Sequence, residues 1–391
     1  FTDASVHFHN ITSRFYQQGK DYFVDTLDAA GKKNTFQIKY TFGFHPLQQY
    51  LVEMENGHIQ ALNTAWDSRN KEQGGQRWFH LQPDESITPE HPFFWTRYFQ
   101  NWNNRCASCH STNVVKNYDV EAHSYKTTWS EINVSCEACH GGGAKHLQLA
   151  NEGKLSGNDS GFSTDLSTAL SWQFTPGAAI ASPQGKKNAE EINRCGTCHA
   201  LRTSLTENPD GKGFHDSNRL QLLNEGAYFL DGQIREEAFV MGSFLQSKMH
   251  SAGVTCSNCH NSHSGKVLIE GNGLCAQCHR PEVFDTPKHH HHSVSSTGAA
   301  CVNCHMPART FMQVDDRRDH SFTLPRPALS QSLGVPNACT TCHESEAGKD
   351  NNWASEQLLR WGVKPVKSHW ATLNQRAEIG DVLVTRGITR L

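Results

Sequence analysis

The clearest periodicity lies in the first hundred residues. Phe36, Ile38, Tyr40, Phe42 and Phe44 alternate with other residues, and a period of two predicts a strand with one buried face. Tyr22, Val24 and Thr26 predict another strand. Asn56-Gly57 lies between YLVEME and HIQALNTAW and has the chemistry of a tight hairpin turn, since both residues tolerate positive φ. A small antiparallel sheet over residues 1–93 follows. From Phe94 the pattern changes, and WTRYFQNWNNRCASCH predicts a helix. Residues 151–190 are rich in Ser, Gly and Asn, with Pro176 and Pro183, and predict a long loop. After His343, WASEQLLRWG and HWATLNQRAEIGDVLVTRG have helical apolar spacing. The chain thus divides into a β-rich front (1–93), a central region (94–347) and a helical end (348–391).

Composition adds a difficulty. Only 36% of the 391 residues are hydrophobic, and mean hydropathy is −0.62. A chain this long is short of core-forming side chains. It has no apolar run approaching the ~18 residues of a membrane span. Its 36 Lys and Arg against 39 Asp and Glu give a net charge of −3, which argues against nucleic acid as a partner. Phe1–Asn10 lacks the basic start and apolar run of a signal peptide, so the chain reads as mature or as cut from something longer.

The cysteines supply the missing piece. All 14 fall in C-x-x-C-H motifs: Cys106-Cys109-His110, Cys136-Cys139-His140, Cys195-Cys198-His199, Cys256-Cys259-His260, Cys275-Cys278-His279, Cys301-Cys304-His305 and Cys339-Cys342-His343. This is the attachment pattern of c-type haem. Two thiols add to the two vinyl groups of one porphyrin, and the next histidine reaches the iron from one face. Zinc sites usually use two C-x-x-C pairs per metal; seven pairs is an odd number, and zinc gives no reason for a histidine after each. Thioredoxin-like motifs do not recur seven times. Seven haems, each a large and mostly apolar plate, replace much of the absent core. The fold expected is a multihaem cytochrome c of short helices and loops wrapped around seven haems, with a small antiparallel β region at the front. Covalent attachment requires export, which places the protein in a bacterial periplasm or outside the cell.

Seven proximal histidines leave 17 of the 24, enough to give every iron a second histidine. The candidates are His250 and His263, which flank the motif at Cys256, and members of the run His289–His292, with His289 and His292 foremost. His320 and His146 join them. His45, His80 and His91, in the front region, are weaker, as are Met249 and Met306, because Met is more often packing. Only 14 residues separate His260 from Cys275, and 21 separate His279 from Cys301, so adjacent haems are forced together.

The stretches TFGFHPLQQYLVE, ALNTAWDSR, NWNNRCASCHSTN, VSCEACHGGG, MGSFLQSKMHSAGVTCSNCHNSHSG, CVNCHMPARTFMQVDDRRDHSF and LPRPALSQSLGVPNACTTCH resemble the large bacterial multihaem c-type cytochromes that often carry tetratricopeptide or HEAT-like repeats at the C-terminus. CVNCHMP with its later Asp-His pair also resembles the nitrite-reductase and octahaem-reductase superfamily. The resemblance implies haem attachment at the 14 cysteines and seven proximal histidines, and favours His146, His250, His263, His320 and the 289–292 run as distal ligands. It also implies a further motif ahead of the strands and longer C-terminal repeats, so the chain reads as processed or partial.

Electron transfer among other redox proteins or cytochromes is the leading functional expectation. Histidine on both iron faces leaves no room for substrate, and no motif has the C-x-x-C-K form that marks some catalytic haems. Two alternatives differ in class. A reductase of a small nitrogen or sulfur oxyanion needs an open haem beside cations such as Arg317 and Arg318. A self-associating extracellular filament needs haems exposed at both ends, with His7 and His9 as histidines to donate to the next subunit.

Overall fold

The computed structural model describes residues 1–156, 159–164, 166, 170–206, 213–343, 346–364 and 369–373. The chain divides into two compact units. The first comprises residues 1–165, 206–212 and 310–316, and the second the remainder. The first two motifs lie in the first unit and the other five in the second.

The front of the first unit is one antiparallel sheet, larger than the pattern implied. It contains β1 (Ala4–Phe8), β2 (Ile11–Gln18), β3 (Asp21–Leu27), β4 (Lys33–Phe42), β5 (Leu47–Glu53), β6 (Ile59–Ala61), β7 (Thr64–Asp67) and β8 (Arg77–His80). The order is β1-β2-β3-β4-β5-β7-β8, with β6 paired to β5. Phe15 and Val24 sit opposite each other in β2 and β3 and are fully buried. They share a core with Ile38, Tyr50, Val52 and Trp95. The end strands approach each other, for Phe8 of β1 stacks on His80 of β8 at 3.6 Å between centroids. Burial pushes the His80 imidazole down to about 4, so it is neutral at pH 7. On β7, Asp67 is wholly buried, and Arg69 grips it at 2.8 and 3.0 Å. That hydrogen-bonded guanidinium holds the carboxyl below its ordinary range.

The alternation overran the strand at one end. Phe44 is 80% exposed, because β4 stops at Phe42 and Gly43 turns the chain at φ 69°. The Asn56-Gly57 turn forms between β5 and β6 with both residues at positive φ. A Cβ on Gly57 would lie 2.1 Å from the Tyr125 carbonyl oxygen, so glycine is required there for space as well as conformation.

Strand β5 is buried on both faces. Tyr50 and Val52 point to the aromatic core. Leu51 points the other way and packs with Ile59, Ala61, Trp102 and Ala107, with Cys106 against them. The sheet is therefore the seat of the first motif. Asn103, 1% exposed, fixes that seat. Its Oδ1 accepts from the Ile59 N–H at 2.7 Å, and its Nδ2 donates to the Gly57 carbonyl and the Thr127 hydroxyl. The single helix expected after Phe94 is instead three short pieces, Tyr98–Gln100, Trp102–Arg105 and Ala107–His110. Asn101 starts a new helix by capping the Asn104 N–H at 3.0 Å.

The second unit is built from short helices, among them Glu190–His199, Cys301–His305, Pro327–Leu333, Ala338–His343 and Asn351–Arg360. The region expected as a loop contains a two-stranded ribbon, Ser171–Gln173 against Ser182–Gln184. One apolar cluster of this unit is Ile192, Ala200, Phe214, Met241 and Phe244. Gly196, inside the third motif, lies against it. A Cβ there would come within 2.3 Å of the Met241 sulfur. The helix expected at WASEQLLRWG forms as Asn351–Arg360, capped by Asp350. Most of the following segment, HWATLNQRAEIGDVLVTRG, lies outside the described residues.

Candidate functional site

Five of the seven motif histidines end a short helix, His260 opens a two-residue strand, and His279 forms an isolated bridge with Ile180. Local side chains hold these turns. Asn337 accepts from the Cys339 and Thr340 N–H groups at 3.1 Å, opening the seventh motif. Asn272 accepts from the Cys301 N–H at 2.9 Å, opening the sixth. Arg318 donates to the Val302 and Met306 carbonyls and to Asn303 Oδ1, closing the end of the sixth-motif helix.

In the second unit, motifs adjacent in sequence are adjacent in space. The sulfurs of Cys195 and Cys256 lie within 4.8 Å of each other, and Cys275 lies beside Cys301. Cys259 lies near Cys278, and Cys304 near Cys342. The third to seventh motifs thus follow one another without a break. Between the third and fourth lies buried Glu191, which accepts from the Ser257 N–H at 2.6 Å and from its hydroxyl at 2.8 Å. Glu191, Cys195 and Cys256 bring their donor atoms within 4.8 Å of one another. Each cysteine belongs to its own C-x-x-C-H, so this triad reads as the seam between two attachment sites.

Among the described residues, three motif histidines face a second imidazole. His260 and His320 have ring centroids 6.3 Å apart and planes at 30°. His305 and His289 are at 6.2 Å and 16°, and His343 and His292 at 6.2 Å and 23°. Two imidazoles bound to opposite faces of one metal, each through a bond of about 2 Å, place their centroids a little over 6 Å apart. Direct ring stacking would be closer, as at His291 on Trp361, 4.1 Å. The spacing fits an iron between each pair.

The outer nitrogens are arranged for the same task. His305 Nδ1 bonds the Thr323 carbonyl at 3.1 Å, His320 Nδ1 that of Arg318 at 2.9 Å, and His292 Nδ1 that of His290. A carbonyl on Nδ1 fixes the N–H there and leaves the Nε2 lone pair for a metal. Burial also lowers His199, His279, His289 and His320, keeping them in the neutral, ligating form. The unit also holds the buried donors Trp172 Nε1, Tyr228 Oη and Ser321 Oγ, which have no hydrogen-bond partner among the described residues. Such groups suit the polar edges of a large buried cofactor.

The remaining candidates differ. His146 bonds the Ser160 carbonyl through Nδ1 at 2.7 Å and stacks on Phe162 at 4.1 Å; that phenyl also lies 4.8 Å from His140. His250 packs on Phe244 at 5.5 Å. His263 is exposed in the turn after the fourth motif, where its N–H bonds Asn261. His7 bonds Thr12 across the first hairpin at 2.9 Å.

Two residues at this site escaped sequence reasoning. Glu191 is one. The other is Glu346, whose Oε1 accepts from His343 Nδ1 at 2.7 Å. Each lies three or four positions from a motif residue, and helical spacing was the available signal.

A family model described as cytochrome c554 and c-prime matches residues 61–141, a span that includes the first two motifs. No curated protein matches the chain in sequence. A crystal structure of the outer cell wall cytochrome OcwA has a similar fold. The TM-score is 0.51 at 16% identity, over 81% of this chain and 73% of that one. The repeated C-x-x-C-H, the paired imidazoles and these two likenesses support a multihaem c-type cytochrome, and the residues fit covalently bound haem.

Proposed function

We propose that each of the seven motifs holds one haem and that the chain conducts electrons between redox partners outside the cytoplasm. The observation that carries this is the facing of His260, His305 and His343 by His320, His289 and His292 at 6.2–6.3 Å. These paired imidazoles would hold an iron from both faces, which suits electron exchange and would leave no place for substrate. The haem supplies the one-electron chemistry. The chain's residues orient the paired rings through backbone carbonyls, and burial favours the neutral form of His199, His279, His289 and His320. In the second unit the succession of neighbouring motifs from Cys195 to Cys342 supports the motif order as the conduction order.

The ligand set comprises the seven motif histidines with His289, His292 and His320 opposite three of them. His146, with its Nδ1 already committed to a carbonyl, and His250 and His263 are the distal candidates for the other irons. Attachment of haem c supports an extracytoplasmic location, as does the likeness to OcwA, an outer cell wall cytochrome. Among the described residues no helix is long and apolar enough to cross a membrane.

A reductase would need cations free to gather an anion. Arg318 is engaged by carbonyls, and Arg317 bonds Glu237 at 2.6 Å. The test is a paramagnetic-resonance spin count on the oxidised protein, with stopped-flow mixing of the reduced protein against nitrite, hydroxylamine and sulfite. Low-spin signals for the three paired haems and no saturable turnover are expected. A high-spin signal at those haems with turnover would overturn the reading.

A further inference from the structure

The seventh motif differs from its neighbours in what its histidine touches. His305, His320 and His292 give their outer N–H to backbone carbonyls. His343 gives its own to a carboxylate, Glu346 Oε1, at 2.7 Å. The acid is held for this role. Lys349 binds its other oxygen and also approaches His343 Nδ1 at 3.5 Å. Lys349 lies over the Trp353 ring at 5.2 Å, and Trp353 packs edge-on against His343 at 5.0 Å. His343, Glu346, Lys349 and Trp353 thus form one closed cluster. With Lys349 on Oε2, Oε1 is directed at the imidazole.

A carboxylate on Nδ1–H, even with Lys349 compensating part of its charge, draws the proton further away than a neutral carbonyl does and leaves the ring closer to imidazolate. The opposite nitrogen becomes a stronger donor. A stronger donor favours ferric over ferrous iron and lowers the reduction potential. We infer that Glu346 is a positioning residue that makes the seventh haem more reducing than the sixth, whose histidine meets only a neutral carbonyl. The line of five motifs then has a built-in difference in potential at its last step. Electrons passing from the seventh site to the sixth run downhill, and the reverse transfer is uphill. This rests on haem attachment at Cys339 and Cys342.

The test uses the full haem-loaded chain and the variants Glu346→Gln, Lys349→Met and, as a remote control, Glu90→Gln. Peptide mass first establishes haem on the segment containing Cys339 and Cys342. Spectropotentiometric titration and low-temperature paramagnetic resonance follow. E346Q is expected to raise the potential of one haem and to widen the spread of one low-spin signal's g values. K349M, which removes a cation and leaves the carboxylate uncompensated, is expected to shift the same haem downward. E90Q is expected to change neither. A purely structural cluster would move both variants in the same direction. If the haem is present and E346Q leaves its potential and g values unchanged, or the two variants shift alike, the inference is overturned. If the wild-type segment carries no haem, the reading of the seventh motif itself falls.

Discussion

The imidazole of His320 faces that of His260 with centroids 6.3 Å apart and planes 30° from parallel. The ring is held by its Nδ1 bond to the Arg318 carbonyl and by Ser243, whose hydroxyl accepts the His320 backbone N–H at 3.3 Å. Removing this ring while keeping the covalent haem should leave one iron with a single histidine. His320→Ala is predicted to convert one low-spin haem to high spin, read as one haem equivalent in the paramagnetic-resonance count. His320→Met should keep six ligands and raise that haem's potential, since thioether ligation favours the ferrous state. A fully low-spin H320A protein would show that His320 is not the ligand.

Covalent loading is checked by mass. The intact chain is expected to exceed its polypeptide mass by seven haems, with about seven irons per chain. Cys339→Ala with Cys342→Ala should lose one haem and leave the others, because each motif carries its own pair of thiols. Five or fewer haems in the unaltered chain would refute the count.

Acid should weaken the sheet in two stages. His80 titrates near 4 when folded and at 6.5 when free, so the folded state binds fewer protons between these values. Its contribution is complete above pH 6.5 and is lost as pH falls toward 4. Asp67 is held below 3.8 by Arg69, and its contribution is lost only below that value. His80→Phe, which keeps the stack on Phe8, is expected to flatten the upper stage and leave the lower. Asp67→Asn should flatten the lower stage and cost about 2 kcal/mol at neutral pH. Melting temperatures by far-ultraviolet circular dichroism, taken from pH 7 to 3, decide both.

Glu191 joins the third motif's helix to the start of the fourth motif through both groups of Ser257. Glu191→Ala strands two donors in a buried seam and should cost roughly 2–3 kcal/mol. Glu191→Gln retains one acceptor and should cost less. Thermal denaturation of the haem-loaded variants measures the difference. Equal melting temperatures for wild type and E191A would show that the seam carries no stability.

Several features follow from the sequence alone because they are local. The spacing of two thiols and a histidine is set by the porphyrin, so the seven motifs are legible without a fold. Alternation placed β4 and turn chemistry placed Asn56-Gly57, since period and positive φ are properties of a few consecutive residues. Locality also explains the errors. Phe44 continues the alternation in composition, but Gly43 has already turned the chain. WTRYFQNWNNRC has helical composition, yet Asn101 caps a new helix instead of continuing the old one. The pairing of histidines was beyond the sequence. His289 and His292 are three residues apart, but they face His305 and His343, on two different helices. The left-handed turn at His291, φ 56°, separates them. Which distant ring stands 6 Å away depends on how short helices pack, and composition holds no record of it. The same is true of the seat under the first motif. Leu51 reads as an ordinary core residue of a strand, and only the tertiary structure turns it toward Trp102 and Cys106, because a strand buried on both faces gives its alternate side chains to two different cores.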